Sequence, residues 1–147
     1  MTVAPDVSTP PDAEDRSARA ASLRSRTAVQ AGDRAAWLAL FADDAVVADP
    51  VGPSALDPVG DGHRGPAAIA AFWDNVIGPN QVRMDIHSSH AGGNEVANVV
   101  TITNTFDDGS SASVEIVAIY AVDDAGMITA LRAFWEFDDL QFAAAEG

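Results

Sequence analysis

The chain has 147 residues, no cysteine, no lysine, and a formal net charge of −14. That length suits one domain with one sizeable core. The missing cysteines and lysines exclude disulfides, thiolate chemistry, a pyridoxal-phosphate Schiff base and a P-loop lysine, while the negative charge argues against nucleic acid and anionic membranes as partners.

Residues 1–11 are polar and proline-rich and read as a disordered arm, leaving 12–147 as a single domain. Asp12 or Ser17 is a candidate cap for a first helix running to about Gln30. Ala18, Ala21, Ser22, Ser25, Ala28 and Val29 share one face at helical spacing. These are small residues, so something bulky can approach that face. Gly32 stops the helix, and Asp33 reads as the N-cap of a short second helix through Trp37, Leu38 and Phe41. Asp43 and Asp44 read as a turn into a short buried strand, Ala45 to Ala48.

Asp49 ends that strand, just before Pro50 and Gly52. A carboxylate there is either satisfied by the turn behind it or held in a pocket, where desolvation would raise its pKa and let it take a proton at neutral pH. Residues 50–65 contain four glycines and three prolines, strong loop chemistry that could cover whatever Asp49 faces. Pro66 suits the first position of a third helix, in which Ile69, Phe72, Trp73, Val76 and Ile77 form an amphipathic stripe ended by Gly78-Pro79.

The remainder is strand-like. Expected strands span 81–89, 95–106, 111–122 and 127–137, separated by turns at 91–94, 107–110 and 123–126. Helices first and a long antiparallel meander afterwards make an α+β domain. No segment approaches the roughly 18 uninterrupted apolar residues of a membrane span, and no basic-then-apolar leader opens the chain, so a cytoplasmic protein is the expectation. His87 and His90 sit three apart on an expected strand, face opposite sides and have no carboxylate cluster at ligand spacing, so no metal site is expected. The acidic pairs 43–44, 107–108 and 123–124 read as solvated turns.

Three separated motifs occur in order: Ala42 to Gly52 (ADDAVVADPVG), Gly65 to Trp73 (GPAAIAAFW) and Asp124 to Trp135 (DAGMITALRAFW). Together they resemble the ketosteroid isomerases of the NTF2-like (SnoaL-like) superfamily over roughly residues 15–142. The resemblance implies three helices packed on a strongly curved, mostly antiparallel sheet. It further implies a deep apolar cavity, homodimers formed through the outer face of the sheet, no cofactor, and a small, apolar, steroid-like ligand.

It also implies roles. Asp49 matches the general base that shuttles a proton between two steroid carbons through a dienolate. Glu115, counted back from Gly126, matches a protonated acid of the oxyanion hole, and lies in the apolar run Val114 to Ile119. A lone acid there is neutral, paired or at a cavity, or else sits at a sheet edge or beside an arginine such as Arg132. The family's oxyanion tyrosine is replaced by Ser25. Tyr120, the single tyrosine, lies five residues from Glu115, so it points to the opposite strand face and is not expected to substitute for the missing phenol. Trp73 and Trp135 fall at cavity aromatics, where they would stack on flat apolar rings or serve as ordinary core. The missing phenol keeps a non-catalytic binder of steroid-like molecules open as an alternative. Related frames also house cyclases and epoxide hydrolases, but the hydrolases need a cavity arginine, and Arg132 alternates onto the face away from Leu131 and Ala133.

Overall fold

Ser17 opens the first helix, α1 (Ala18–Ala31), by accepting a hydrogen bond from the Ala20 N–H at 3.1 Å. A cap of this kind contributes about 1 kcal/mol. The small-residue face expected of α1 is buried, from Ala18 through Ser22 and Ser25 to Val29. Gly32 ends the helix in the left-handed conformation, φ 66°, its N–H returning to Ala28 O and Val29 O. Asp33 caps α2 (Arg34–Leu38) through the Ala36 N–H.

Helix α2 stops before Phe41, which instead begins β1 (Phe41–Ala48). The reason is sheet pairing. Phe41 sits opposite Ile128 in parallel register, and the Ile128 N–H donates to Leu40 O at 2.9 Å. Asp43 and Asp44 are consequently exposed strand residues, not the expected turn. The long loop after β1 contains a two-residue strand, β2 (His63–Arg64), paired antiparallel with Val46 and Val47. Asp57 ties the loop by accepting from the Gly60 and Gly62 N–H groups.

The third helix, α3 (Gly65–Phe72), widens into a π turn over Trp73–Ile77. Ile69, Phe72 and Trp73 are buried, while Val76 and Ile77 are only half-buried against the core. Two helices therefore lead the chain, and the third follows the first strand pair.

The remaining strands are β3 (Gln81–Gly92), β4 (Glu95–Thr105), β5 (Ser111–Val122), β6 (Ile128–Phe134) and β7 (Gln141–Ala143). The sheet order is β2-β1-β6-β5-β4-β3, antiparallel except for β1 beside β6, with β7 on the start of β5. Register shifts between Ile86 and Ser88, and between Ala121 and Val122, bend it. The first resets the alternation of β3, so His87 and His90 are both exposed instead of facing opposite sides. Strand β6 ends at Phe134, three residues earlier than expected. A short 3-10 turn (Phe137–Asp139), closed by reciprocal capping of Glu136 and Asp139, then carries the chain to β7.

The structure is a computed structural model that describes residues 5–145, so residues 1–4 of the expected arm lie outside it, as do 146–147. Residues 5–11 form neither helix nor strand; Val7 O accepts a hydrogen bond from the Arg26 guanidinium. The core lies between the helices and the concave sheet face. Trp37, 1% exposed, is its hub, with its ring 4.6 Å from Phe41 and 5.3 Å from Trp73.

Candidate active site

Parallel pairing of β1 with β6 sets Ala48 opposite Arg132, and the Val51 N–H donates to Ala133 O at 2.8 Å. These contacts bring Asp49, just past β1, alongside Trp135, just past β6. The Trp135 Nε1–H donates to Asp49 Oδ1 at 2.6 Å. Among the described residues, Asp49 Oδ2 has no hydrogen-bond donor.

Asp49 opens into a cavity of about 120 Å³ between α1, the π turn and the concave sheet face. Val29, Val82, Met84, Ile102, Val114 and Leu131 contribute to its largely apolar wall. Leu56, from the glycine- and proline-rich loop, closes part of it, as that loop's position after Asp49 suggested. Burial raises the Asp49 pKa above the ordinary carboxylate range. The Trp135 hydrogen bond opposes the shift, as does nearby His63.

The cavity floor carries a second polar group. Ser25 Oγ accepts from the Trp37 Nε1–H at 3.0 Å and from the Tyr120 O–H at 3.0 Å. All three residues line the cavity and are at most 3% exposed. Burial pushes the Tyr120 phenol up to about 12; the bond to Ser25 opposes that shift and the Asp49 charge adds to it. The phenol is therefore protonated throughout the neutral range.

Of the residues singled out from sequence, Asp49, Ser25 and Trp135 meet in this cavity. Trp73 does not; it packs behind the wall against Trp37, buried in the core. Glu115 is also elsewhere. Strand β5 turns Ala112, Val114, Ile116, Ala118, Tyr120 and Val122 inward, leaving Glu115 exposed on the outer face. The expectation that Glu115 partners Asp49 is thereby corrected. An ionisable side chain on a two-sided apolar strand takes the face that keeps it hydrated, because burying it alone costs several kcal/mol. The opposite-face relation between Glu115 and Tyr120 holds, with Tyr120 on the cavity side. Arg132 likewise points outward, over the Phe134 ring at 5.5 Å.

Three site residues were not singled out from sequence. Trp37 looks like any core aromatic, and its N–H matters only because α1 places Ser25 beneath it. Asn104 lines the cavity from β4, where nothing in the alternation marks it. His63 sits in a glycine-rich stretch, and only its pairing opposite Val47 brings it near Asp49. Its Nε2 is buried without a partner among the described residues, and its ring lies 5.0 Å from Phe72.

The arrangement can take a proton at Asp49 from an apolar ligand and offer a hydroxyl group to that ligand's oxygen. Residues 23–131 match the SnoaL-like domain family. A steroid Delta-isomerase of Nocardioides simplex is 33% identical over 122 residues, covering 83% of this chain and 92% of its own. The crystal structure of a Delta 5-3-ketosteroid isomerase from Mycobacterium sp. is 45% identical, with a TM-score of 0.82, over 86% of this chain and 98% of that one. A Mycobacterium tuberculosis protein solved with estradiol-17beta-hemisuccinate is 38% identical, with a TM-score of 0.80, over 85% and 98% of the two chains.

Proposed function

The chain belongs to the SnoaL-like domain family of the NTF2-like superfamily, and from that membership we propose that it is a cofactor-free steroid Delta-isomerase acting on a steroid-like ketone, with Asp49 as its general base. The observation that carries the reading is Asp49 itself. It is a carboxylate of raised pKa, facing an apolar cavity, with one oxygen held by Trp135 and the other free of donors among the described residues.

The chemistry follows from that geometry. Asp49 takes a proton from the carbon beside the carbonyl. The C–H electron pair moves into the conjugated system and charge develops on the carbonyl oxygen, giving a dienolate. The carboxylic acid so formed returns the proton to the far carbon of the same system. Proton and electrons stay within one molecule, so the step calls for no electron carrier. Desolvation raises the basicity of the carboxylate, while the Trp135 N–H keeps enough of it ionised and fixes its orientation. The Mycobacterium isomerase and the estradiol-hemisuccinate complex support a steroid-like substrate. The largely apolar wall of the cavity suits a flat, rigid, mostly hydrocarbon ligand.

An ultraviolet assay for conjugated enone formation from a β,γ-unsaturated ketone tests the proposal. Wild type should turn the substrate over, and Asp49→Asn should bind it without converting it. Equal rates in the two would end the reading. A non-catalytic steroid-like binder is the second reading, favoured by Ser25 standing where the resembled family has its tyrosine. It expects binding in both proteins and conversion in neither. An epoxide-hydrolase-type reaction is less well supported, because Arg132 lies on the outer face. We also infer a homodimer through that face, where Val117 and Phe134 are 37% and 41% exposed on adjacent strands.

A further inference from the structure

We propose that Tyr120, projecting from β5, is the hydrogen-bond donor to the oxygen on which negative charge develops during the proton transfer. The inference rests on the isomerase reading and assigns a group in that same site.

The geometry of the floor carries it. Tyr120 is one of the few polar groups in a mostly apolar cavity, and it lies close enough to Asp49 to sense its charge. Its hydroxyl is 3.0 Å from Ser25 Oγ, which also takes the Trp37 N–H at 3.0 Å. Without a ligand, the phenol donates to Ser25. Hydroxyl hydrogens rotate, so the same three groups support a second arrangement. The Trp37 N–H still donates to Ser25 Oγ, the Ser25 O–H turns to donate to Tyr120 Oη, and the Tyr120 O–H is released toward a ligand oxygen. Each bond in such a chain polarises the next, so a fixed indole N–H strengthens the terminal phenolic donor. The proton on Tyr120 stays there throughout. Asp49 gains the proton from carbon, the C–H electron pair delocalises onto the carbonyl oxygen, and Tyr120 stabilises that oxygen without ionising.

Ser25 and Glu115 fit less well as the donor. Ser25 is a weaker hydrogen-bond acid than a phenol, and in the second arrangement its one O–H is spent on Tyr120 Oη. Glu115 faces solvent on the other side of the strand. The position of Tyr120 also accounts for the small side chain at 25, since a bulky residue there would occupy the space the phenol fills from the sheet.

The test compares enone formation by wild type, Asp49→Asn, Tyr120→Phe and Ser25→Ala. Tyr120→Phe keeps the ring and its packing, and should lower kcat about 10²–10³-fold, the usual effect of removing one oxyanion donor, with a much smaller change in KM. Ser25→Ala removes only the internal partner and should lose less than Tyr120→Phe. If Tyr120→Phe turns over within threefold of wild type while Asp49→Asn is inactive, the inference is overturned and the isomerase reading stands. If Ser25→Ala loses as much as Tyr120→Phe or more, Ser25 is the donor and the inference is again overturned. If Tyr120→Phe does not fold, Ser25→Ala decides: retained turnover supports Tyr120, and loss matching Asp49→Asn overturns it. Should wild type convert no ketone, the isomerase reading fails on its own, and binding of 2-naphthol, whose hydroxyl stands in for the dienolate oxygen, decides the inference. About tenfold weaker binding by Tyr120→Phe than by wild type supports it, and equal binding overturns it.

Discussion

Asp49 is basic because burial raises its pKa, and that burial has a cost in stability. Its folded pKa lies above the unfolded value of 3.8, so across the interval between the two the folded state holds a proton that the unfolded state releases. Stability therefore falls as pH rises through that interval, and the loss is complete above the folded pKa. The Asp49→Asn variant should show a flatter dependence and greater stability than wild type at neutral pH, measured as urea midpoints at several pH values. Activity runs the other way. The Asp49→Asn variant should lose about 10²–10⁴ in kcat. Wild-type kcat/KM should climb with pH through a value above the ordinary carboxylate range. It should then stay level toward alkaline pH, because the Tyr120 phenol titrates only near 12. A profile that levels off near pH 4 would mean that Asp49 is not the titrating base. Asp49 and Trp135 were legible from the motifs that carry them. Glu115 was not, because Val114 to Val122 is apolar at odd and even positions alike, and counting residues from a glycine does not set the phase of such a strand. The charge on Glu115 was itself a usable signal: an acid outward implies Tyr120 inward.

Among the elements, the caps and breakers were readable because they act locally. Ser17, Gly32, Asp33, Pro66 and Gly78 all mark boundaries near those observed. Boundaries set by a partner strand were not. Phe41 suits a helix by pattern yet joins β1, because pairing with Ile128 satisfies backbone groups that one more helical residue would leave facing the sheet. Strand β7 depends on the free edge beside Ser111–Ser113, which no local pattern announces. Gly62 illustrates the same dependence at close range. Its φ is +86°, and a Cβ there would lie 2.6 Å from Val46 Cγ1. Gly62→Ala should therefore displace β2 from β1 and cost about 1–3 kcal/mol in denaturant unfolding. Because the loop joins Asp49 to β2, the variant should also weaken ligand binding.

For the whole molecule, the inferred homodimer places Phe134 and Val117 within an interface. Phe134→Asp should shift the protein toward monomer in sedimentation at micromolar concentration, because it sets a desolvated charge in an apolar patch. An unchanged association state would show that this face is not the contact. Among the described residues no helix is long and apolar enough to cross a membrane. The acidic charge, the helix caps, the amphipathic third helix and the order of strands are properties of local sequence, and from them the α+β class, the family resemblance and Asp49 as the residue of interest could all be read. Which groups meet Asp49 was decided by the tertiary structure alone. Trp135, 86 residues along the chain from Asp49, reaches it through parallel pairing of two strands, and Tyr120 reaches Ser25 through the curvature and phase of a strand whose two faces look alike. Such contacts depend on register, and shifting a strand by one residue exchanges its faces without changing its composition.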